Sequence, residues 1–293
     1  MDISKITRLH NRSSSICDSL FLSKVMLCIV FALCSSLTHA ASAQAQATSQ
    51  SSEQSSAQSN AIAPEAETQP KAQSAAEIIS PFTSTFIAYY DGDDVGEAKL
   101  SLKTLEAISE NTSHSSKYEL NYASTVSKFF LSDRRYETSV FELQDNQLIP
   151  ITYQYKREGT GSNKSLRVSF DKDSDKIWVN DEAQYDWNDE MDNQLFRVDL
   201  SRKLQAGETD VSYDFINYRG ERRNYQLQVI GADSLTLPYG KINALKVKIN
   251  RDSKKRVTFA WFAPDLDYTL VRLQQFKNGK EQGDIKLQSF SRE

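Results

Sequence analysis

The chain has 293 residues, with 35 Lys+Arg against 39 Asp+Glu and a formal net charge of −4. No basic excess is available to neutralise a phosphate backbone, so nucleic-acid binding has no electrostatic footing. Its three cysteines (Cys17, Cys28, Cys34) and two of its three histidines (His10, His39) precede Ala41, which excludes a Cys/His zinc site and a disulfide framework from everything after it.

The first segment reads as an export signal. Lys5, Arg8, Arg12 and Lys24 form a basic leader, and VMLCIVFALCSSL (Val25 to Leu37) is an apolar core. Small residues then offer cleavage after Ala40 or Ala43. The apolar run is shorter than the roughly 20 residues of a membrane span, so no stable span is expected after cleavage. Leu33 stands directly before Cys34 where a lipoprotein signal needs a small residue, so lipidation is not expected. From 41 to 80 the chain is built from Ala, Gln and Ser, with no aromatic residue and no Gly. Such a segment cannot bury enough apolar surface to offset chain entropy and is expected to be a disordered linker.

Residues 81–293 read as one β-rich domain. Every Tyr, every Trp and all ten Gly lie there. Apolar and polar residues alternate as half-buried strands require. KYELNYAS places Tyr118, Leu120 and Tyr122 on one face; ITYQYK does the same with Ile151, Tyr153 and Tyr155. VSYDF, NYQLQVI, LKVKIN and RVTFAW repeat the pattern, separated by DGDD, EGTGSN, RGE, PYG and KNGK turns. About twelve strands are predicted. The exception is DNQLFRVDLSRKLQAG, where Leu195, Phe196, Val198, Leu200 and Leu204 fall near helical spacing. It predicts one helix over about 192–206, with Asp192 as N-cap and Gly207 as the stop.

A dozen strands with one greasy face and a single helix cannot be covered by helical layers. The expected fold is therefore mainly β, a single antiparallel curled sheet forming a barrel or half-barrel, with the helix as partial plug. What the helix leaves uncovered is expected to be a pocket lined by inward aromatics: Phe86, Tyr118, Tyr122, Tyr153, Tyr155, Tyr213, Phe215, Tyr225, Phe259 and Trp261. A lipid or another apolar ligand is the expected partner.

Other stretches invite sharper chemistry. FDKDSDKIWVNDE sets Asp171, Asp173, Asp175 and Glu182 near calcium-loop spacing. The loop's obligatory glycine is replaced by Lys176, and strand-like segments flank it instead of helices, so a hairpin tip is the expected structure and the metal site only a weak candidate. EGTGSNKS fits neither phosphate-binding fingerprint. In AWFAPDLDYTLVRL, Asp265 and Asp267 follow a strand end and read as turn residues. No cofactor signature is present, and no catalytic set is assigned.

YYDGDDVGEAKLSL, PITYQYKREGTGSNKSLRVSFD, LPYGKINALKV and TFAWFAPDLDYTLVRLQQ, in this order, make the chain from about Phe86 to Leu287 resemble an exported bacterial family, domain of unknown function 3108. The resemblance implies a periplasmic setting and a layout similar to the open barrels of periplasmic lipoprotein carriers; it transfers no catalytic residue. The expected function is a non-enzymatic periplasmic protein that holds an apolar ligand or partner segment, in cell-envelope maintenance. The alternatives are an outer-membrane-associated β-barrel, which shows the same alternation with its apolar face outward, and a carboxylate-dependent hydrolase using Asp171, Asp175, Asp265 or Asp267.

Overall fold

A computed structural model describes residues 79–106, 116–251 and 255–293. The expected leader, the expected linker up to residue 78, and His114 lie outside them. The elements are β1 (Phe82–Tyr90), β2 (Asp93–Glu106), β3 (Ser116–Lys128), β4 (Leu131–Gln144), β5 (Gln147–Gly159), β6 (Lys164–Asp171), β7 (Lys176–Val179), β8 (Glu182–Asp186) and β9 (Met191–Asp192). Helix α1 (Leu195–Gln205) follows, then β10 (Asp210–Ile216), β11 (Arg222–Leu237), β12 (Gly240–Asn250), β13 (Arg256–Ala263), a short 3-10 turn (Pro264–Leu266), β14 (Thr269–Lys277) and β15 (Lys280–Arg292).

Among the described residues fifteen strands join one sheet in the order β8-β7-β6-β5-β4-β3-β2-β1-β15-β14-β13-β12-β11-β10-β9. Sequence neighbours pair antiparallel nearly throughout, as connections of only a few residues require wherever they occur. The first and last strands, β1 and β15, pair at the centre, and only β9 runs parallel to its neighbour β10. Among the described residues the curled, mainly β architecture with one helix is as the alternation predicts, and the strands number fifteen rather than about twelve. The strands hardest to foresee are β8, whose EAQYD is nearly all exposed, and β9, which is two residues long; neither carries a hydrophobic alternation.

Chain edges β8 and β9 are only a short connection apart, and side chains tie the β8 edge to the β10–β11 turn. Tyr185 donates its hydroxyl to the Gly220 carbonyl at 3.0 Å, Arg222 donates to the Asp186 carbonyl at 2.5 Å, and Arg222 pairs with Glu190 at 2.6 Å. Apolar residues face the concave side. On β3, Tyr118, Leu120, Tyr122 and Val126 are buried there, while Glu119 and Asn121 form polar bonds on the other face, Asn121 also accepting from Thr138 of β4 at 2.8 Å. That arrangement is the inverse of a lipid-facing barrel wall.

Most hairpin tips use Asp, Asn or Gly at positive φ, as with Asp91-Gly92, Asp145-Asn146 and Asn278-Gly279, residues that tolerate the left-handed region. The β3–β4 tip departs from this: Phe129 and Phe130 are each 78% exposed, with Phe129 at φ 56°. Gly96 matters for a different reason. It pairs with Ala88 of β1 and Val126 of β3, lies at φ +152°, and a Cβ there would sit 2.0 Å from the Thr125 carbonyl oxygen. Gly96→Ala is expected to cost about 2 kcal/mol, because the obstacle is backbone that cannot rotate aside. Urea unfolding of the variant checks this; an unchanged midpoint would mean that β2 and β3 stand further apart here.

Candidate ligand cavity and its polar seam

Helix α1 lies on the concave face and presents two different sides to it. Leu195, Phe196, Leu200 and Leu204 are buried. The Phe196 ring meets Phe215 at 5.0 Å and Tyr213 at 5.6 Å, and Phe215 meets Tyr225 edge-on at 4.7 Å. Aromatic packing of this kind adds to the area term and holds one face of the helix to β10 and β11. Asp199, on the same side, accepts the Tyr213 hydroxyl at 2.9 Å and Lys203 at 3.1 Å.

A second stripe, Arg197-Val198, Ser201-Arg202 and Gln205, recurs at three- to four-residue spacing and so shares one face. It looks onto strands from both sides of the β1–β15 pair across a cavity of about 330 Å³. The inner wall is apolar and buried: Leu100, Leu120, Phe262 and Leu270. The rim is exposed and polar: Ser80, Gln205, Asp267 and Arg292. Phe82 and Phe290, stacked with centroids 6.1 Å apart, stand between. A second space of about 20 Å³ lies behind the helix, beside Tyr225 and Arg251, whose guanidinium sits 5.0 Å from the Tyr225 ring centre. Arg197 borders both spaces.

Beneath the start of α1 runs a seam of buried polar groups. Asp192 is fully buried. One carboxylate oxygen accepts the backbone N–H groups of Gln194 (2.8 Å) and Leu195 (2.9 Å), and the other accepts the Ser139 hydroxyl of β4. The position of the cap differs from the sequence expectation. Gln194 occupies the N-cap and makes no capping bond with its side chain; Asp192, two residues earlier, satisfies the first free N–H groups because the β9–β10 pairing fixes it below them. Gly207 ends the helix as expected, at φ +89°, with the Glu208 N–H returning to the Lys203 carbonyl at 2.9 Å. Burial, partly offset by those hydrogen bonds, raises the Asp192 carboxyl to about 6.

Next along β4, Glu137 accepts the Tyr153 hydroxyl at 2.5 Å and the Asn193 side-chain amide at 2.7 Å. Asp133 then accepts from Arg135 at 2.7 Å and from Arg157 of β5 at 2.8 Å. Burial alone would raise the Asp133 carboxyl, but the hydrogen bonds and charges of Arg135 and Arg157 outweigh it and hold it below the usual carboxylate range. The seam separates the large hydrophobic cluster around α1 from a smaller one made by Tyr153, Tyr155, Leu166, Val168, Phe170, Ile177, Val179 and Ile216.

The ten aromatic residues that the sequence suggests as ligand-lining fall elsewhere. Phe86, Tyr118, Tyr122, Tyr213, Phe215 and Tyr225 fill the large cluster, and Tyr153 and Tyr155 the small one; of these only Tyr225 borders a space, the 20 Å³ one. Phe259 and Trp261 alternate with Ala260, which lines that space, so they point to the convex face. There Lys246 lies 5.1 and 5.2 Å from their ring centres, and Trp261 donates to Asp233 at 2.8 Å. Large rings fill the volume they point into. The void opens instead where leucines and phenylalanines meet the polar helix stripe, a stripe that a helical wheel assigns to solvent.

Asp171, Asp173 and Asp175 form the β6–β7 hairpin tip, where Asp171 accepts from the Asp173 and Ser174 N–H groups and the Ser174 hydroxyl; Glu182 opens the exposed β8. Asp175 takes φ 51°. This is turn chemistry of the expected kind, and among the described residues no group of three or more His, Cys, Asp or Glu side chains is gathered to hold a metal. Asp265 lies in the 3-10 turn and Asp267, at φ 52°, ends it; Asp267 pairs with Arg292 at 2.7 Å.

The model of a family described as "protein of unknown function (DUF3108)" matches residues 85–286. Two solved structures are similar in outline. One is a beta-barrel-like protein of domain of unknown function DUF1849 from Brucella abortus, 9% identical with a TM-score of 0.46, covering 73% of this chain and 98% of its own. The other, from Bacteroides fragilis, is described as exported with a YmcC-like fold; it is 13% identical with a TM-score of 0.32, covering 73% of this chain and 96% of its own. No curated protein matches the chain. Among the described residues no helix is long and apolar enough to cross a membrane.

Proposed function

The chain belongs to the DUF3108 family, and on that footing we propose that it is an exported periplasmic protein that holds an apolar, lipid-like guest beneath α1, in service of the cell envelope, and performs no chemistry on it. The observation that carries this reading is the cavity: an apolar wall of Leu100, Leu120, Phe262 and Leu270 opening to a polar rim. Its 330 Å³ falls at the low end of the roughly 300–1,000 Å³ typical of small-molecule sites. That suits one hydrocarbon chain rather than a two-chain lipid. The basic leader and apolar core before Ala41 support export, and the inward apolar face favours a water-exposed outer wall over insertion in lipid.

The test is occupancy. Native mass spectrometry of the protein purified from periplasm is expected to show a bound chain-bearing lipid, recoverable by organic extraction. The neutral dye N-phenyl-1-naphthylamine is expected to brighten on the emptied protein and to be displaced by alkyl chains. Val198→Trp, which fills the cavity from the helix side, should weaken dye binding at least about 10-fold while leaving the circular dichroism unchanged. A protein that is recovered empty and leaves the dye dark sinks the reading.

A further inference from the structure

The face of α1 turned into the cavity is the wrong one for a purely apolar guest. A helix packed inside a curled sheet gains most by directing every inward side chain at grease. Here Val198 is flanked by Arg197, Ser201, Arg202 and Gln205 along the cavity side. The opposite wall is leucine and phenylalanine, with Thr269 its one buried polar residue. The space is therefore divided lengthwise, with hydrocarbon on the sheet side and hydrogen-bond donors on the helix side.

Charge sharpens the division. Three arginines line the cavity, Arg197, Arg202 and Arg292, against one carboxylate, Asp267. Arg292 and Asp267 pair with each other at the exposed rim. Arg202 reaches the Asn146 carbonyl at 3.2 Å and fixes the helix to the β4–β5 turn. Arg197 is half-buried, donates to the Gln194 side-chain oxygen at 2.7 Å, and borders both spaces. Burial, opposed by the charge of Glu137, holds its guanidinium below the ordinary arginine value. A partly desolvated cation beside a void binds an arriving anion more strongly than a fully solvated one does.

We infer that the cavity takes a single-chain anionic amphiphile, its hydrocarbon against Leu100, Leu120 and Leu270 and its carboxylate or phosphate head toward Arg197, with Arg292 at the entrance. This rests on the cavity being a binding site, and names the chemical class that it selects.

The experiment compares three probes of equal chain length, dodecanoate, 1-dodecanol and dodecyltrimethylammonium, titrated into the emptied exported protein below their aggregation limits. Dodecanoate is expected to bind at least about 10-fold more tightly than dodecanol, with the cation weakest, since a charged hydrogen bond adds that much. Arg197→Gln should shrink the dodecanoate preference to within about 3-fold of dodecanol, and raised salt should weaken dodecanoate selectively in the unaltered protein. Arg292→Gln, at an exposed position, supplies the same comparison should Arg197→Gln fail to fold, with a smaller loss of preference expected. Dodecyl phosphate in place of dodecanoate distinguishes the two heads; either one favoured over dodecanol supports the inference. Equal binding of dodecanoate and dodecanol, or a preference untouched by both arginine substitutions, overturns the anionic head while leaving the apolar cavity standing. Failure of all three probes to bind overturns the cavity reading with it.

Discussion

Asp133→Ala is expected to remove about 3–5 kcal/mol of folding stability, the usual consequence of stripping one partner from a buried ion cluster. The side chains of Asp133, Arg135 and Arg157 are 11%, 5% and 11% exposed. The carboxylate is shared: Arg135 and Arg157 both donate to it. Alanine leaves two adjacent guanidinium groups out of water, repelling each other with no anion between them. Urea unfolding measures the loss, and a cost below about 1 kcal/mol would mean that water reaches the site and screens it. The pH dependence follows from the depressed carboxyl. Its contribution is fully present above the unfolded value near 3.9 and disappears as pH falls through the lower folded value. A second variant separates charge from shape. Replacing Asp133 by Leu and both arginines by Met together is expected to recover most of the loss, because a well-packed apolar substitute pays no desolvation.

That cluster also shows where sequence reading stops. Strands such as β3, β5 and β12 are legible because Tyr118-Leu120-Tyr122, Tyr153-Tyr155 and Val247-Ile249 alternate with polar residues. The buried row of β4 instead begins Asp133, Arg135, Glu137, Ser139 and turns apolar only at Phe141 and Leu143. Its outward row, Arg134, Tyr136, Thr138, is no more polar. With both faces hydrophilic, the period of two carries no hydrophobic signal, and only the neighbouring strand, with Tyr153 and Arg157, explains the burial. The helix presents the same difficulty in another form. Phe196, Leu200 and Leu204 announce it, but Arg197, Ser201 and Arg202 look like its solvent side. Their position inside the curl depends on how far the sheet wraps, a long-range property that no local window contains. Hence the fold class could be read from the alternation, while the cavity wall could not.

Asp192→Asn is expected to abolish a stability gradient that the unaltered protein shows between pH 4 and 6. The unfolded carboxyl titrates near 3.9, and the folded one near 6, because burial disfavours its charge more than Ser139 and the two backbone N–H groups favour it, with Glu137 adding repulsion. Between those values the folded chain holds a proton that the unfolded chain has released, so stability falls as pH rises through the window. The full span amounts to about 3 kcal/mol, and about 1.4 kcal/mol of it lies between pH 5 and pH 7. Asp133 acts with the opposite sign and at lower pH. Asparagine keeps an acceptor for the Gln194 and Leu195 N–H groups and cannot ionise, so the variant should hold its low-pH stability up to pH 7. His114, the only histidine beyond the first 40 residues, is present in both proteins and cancels in the difference. Urea midpoints at pH 5 and pH 7 for the two proteins decide the matter: parallel slopes would place the Asp192 proton elsewhere, whereas a flat profile in the variant ties the seating of α1, and with it the polar wall of the cavity, to one buried carboxyl.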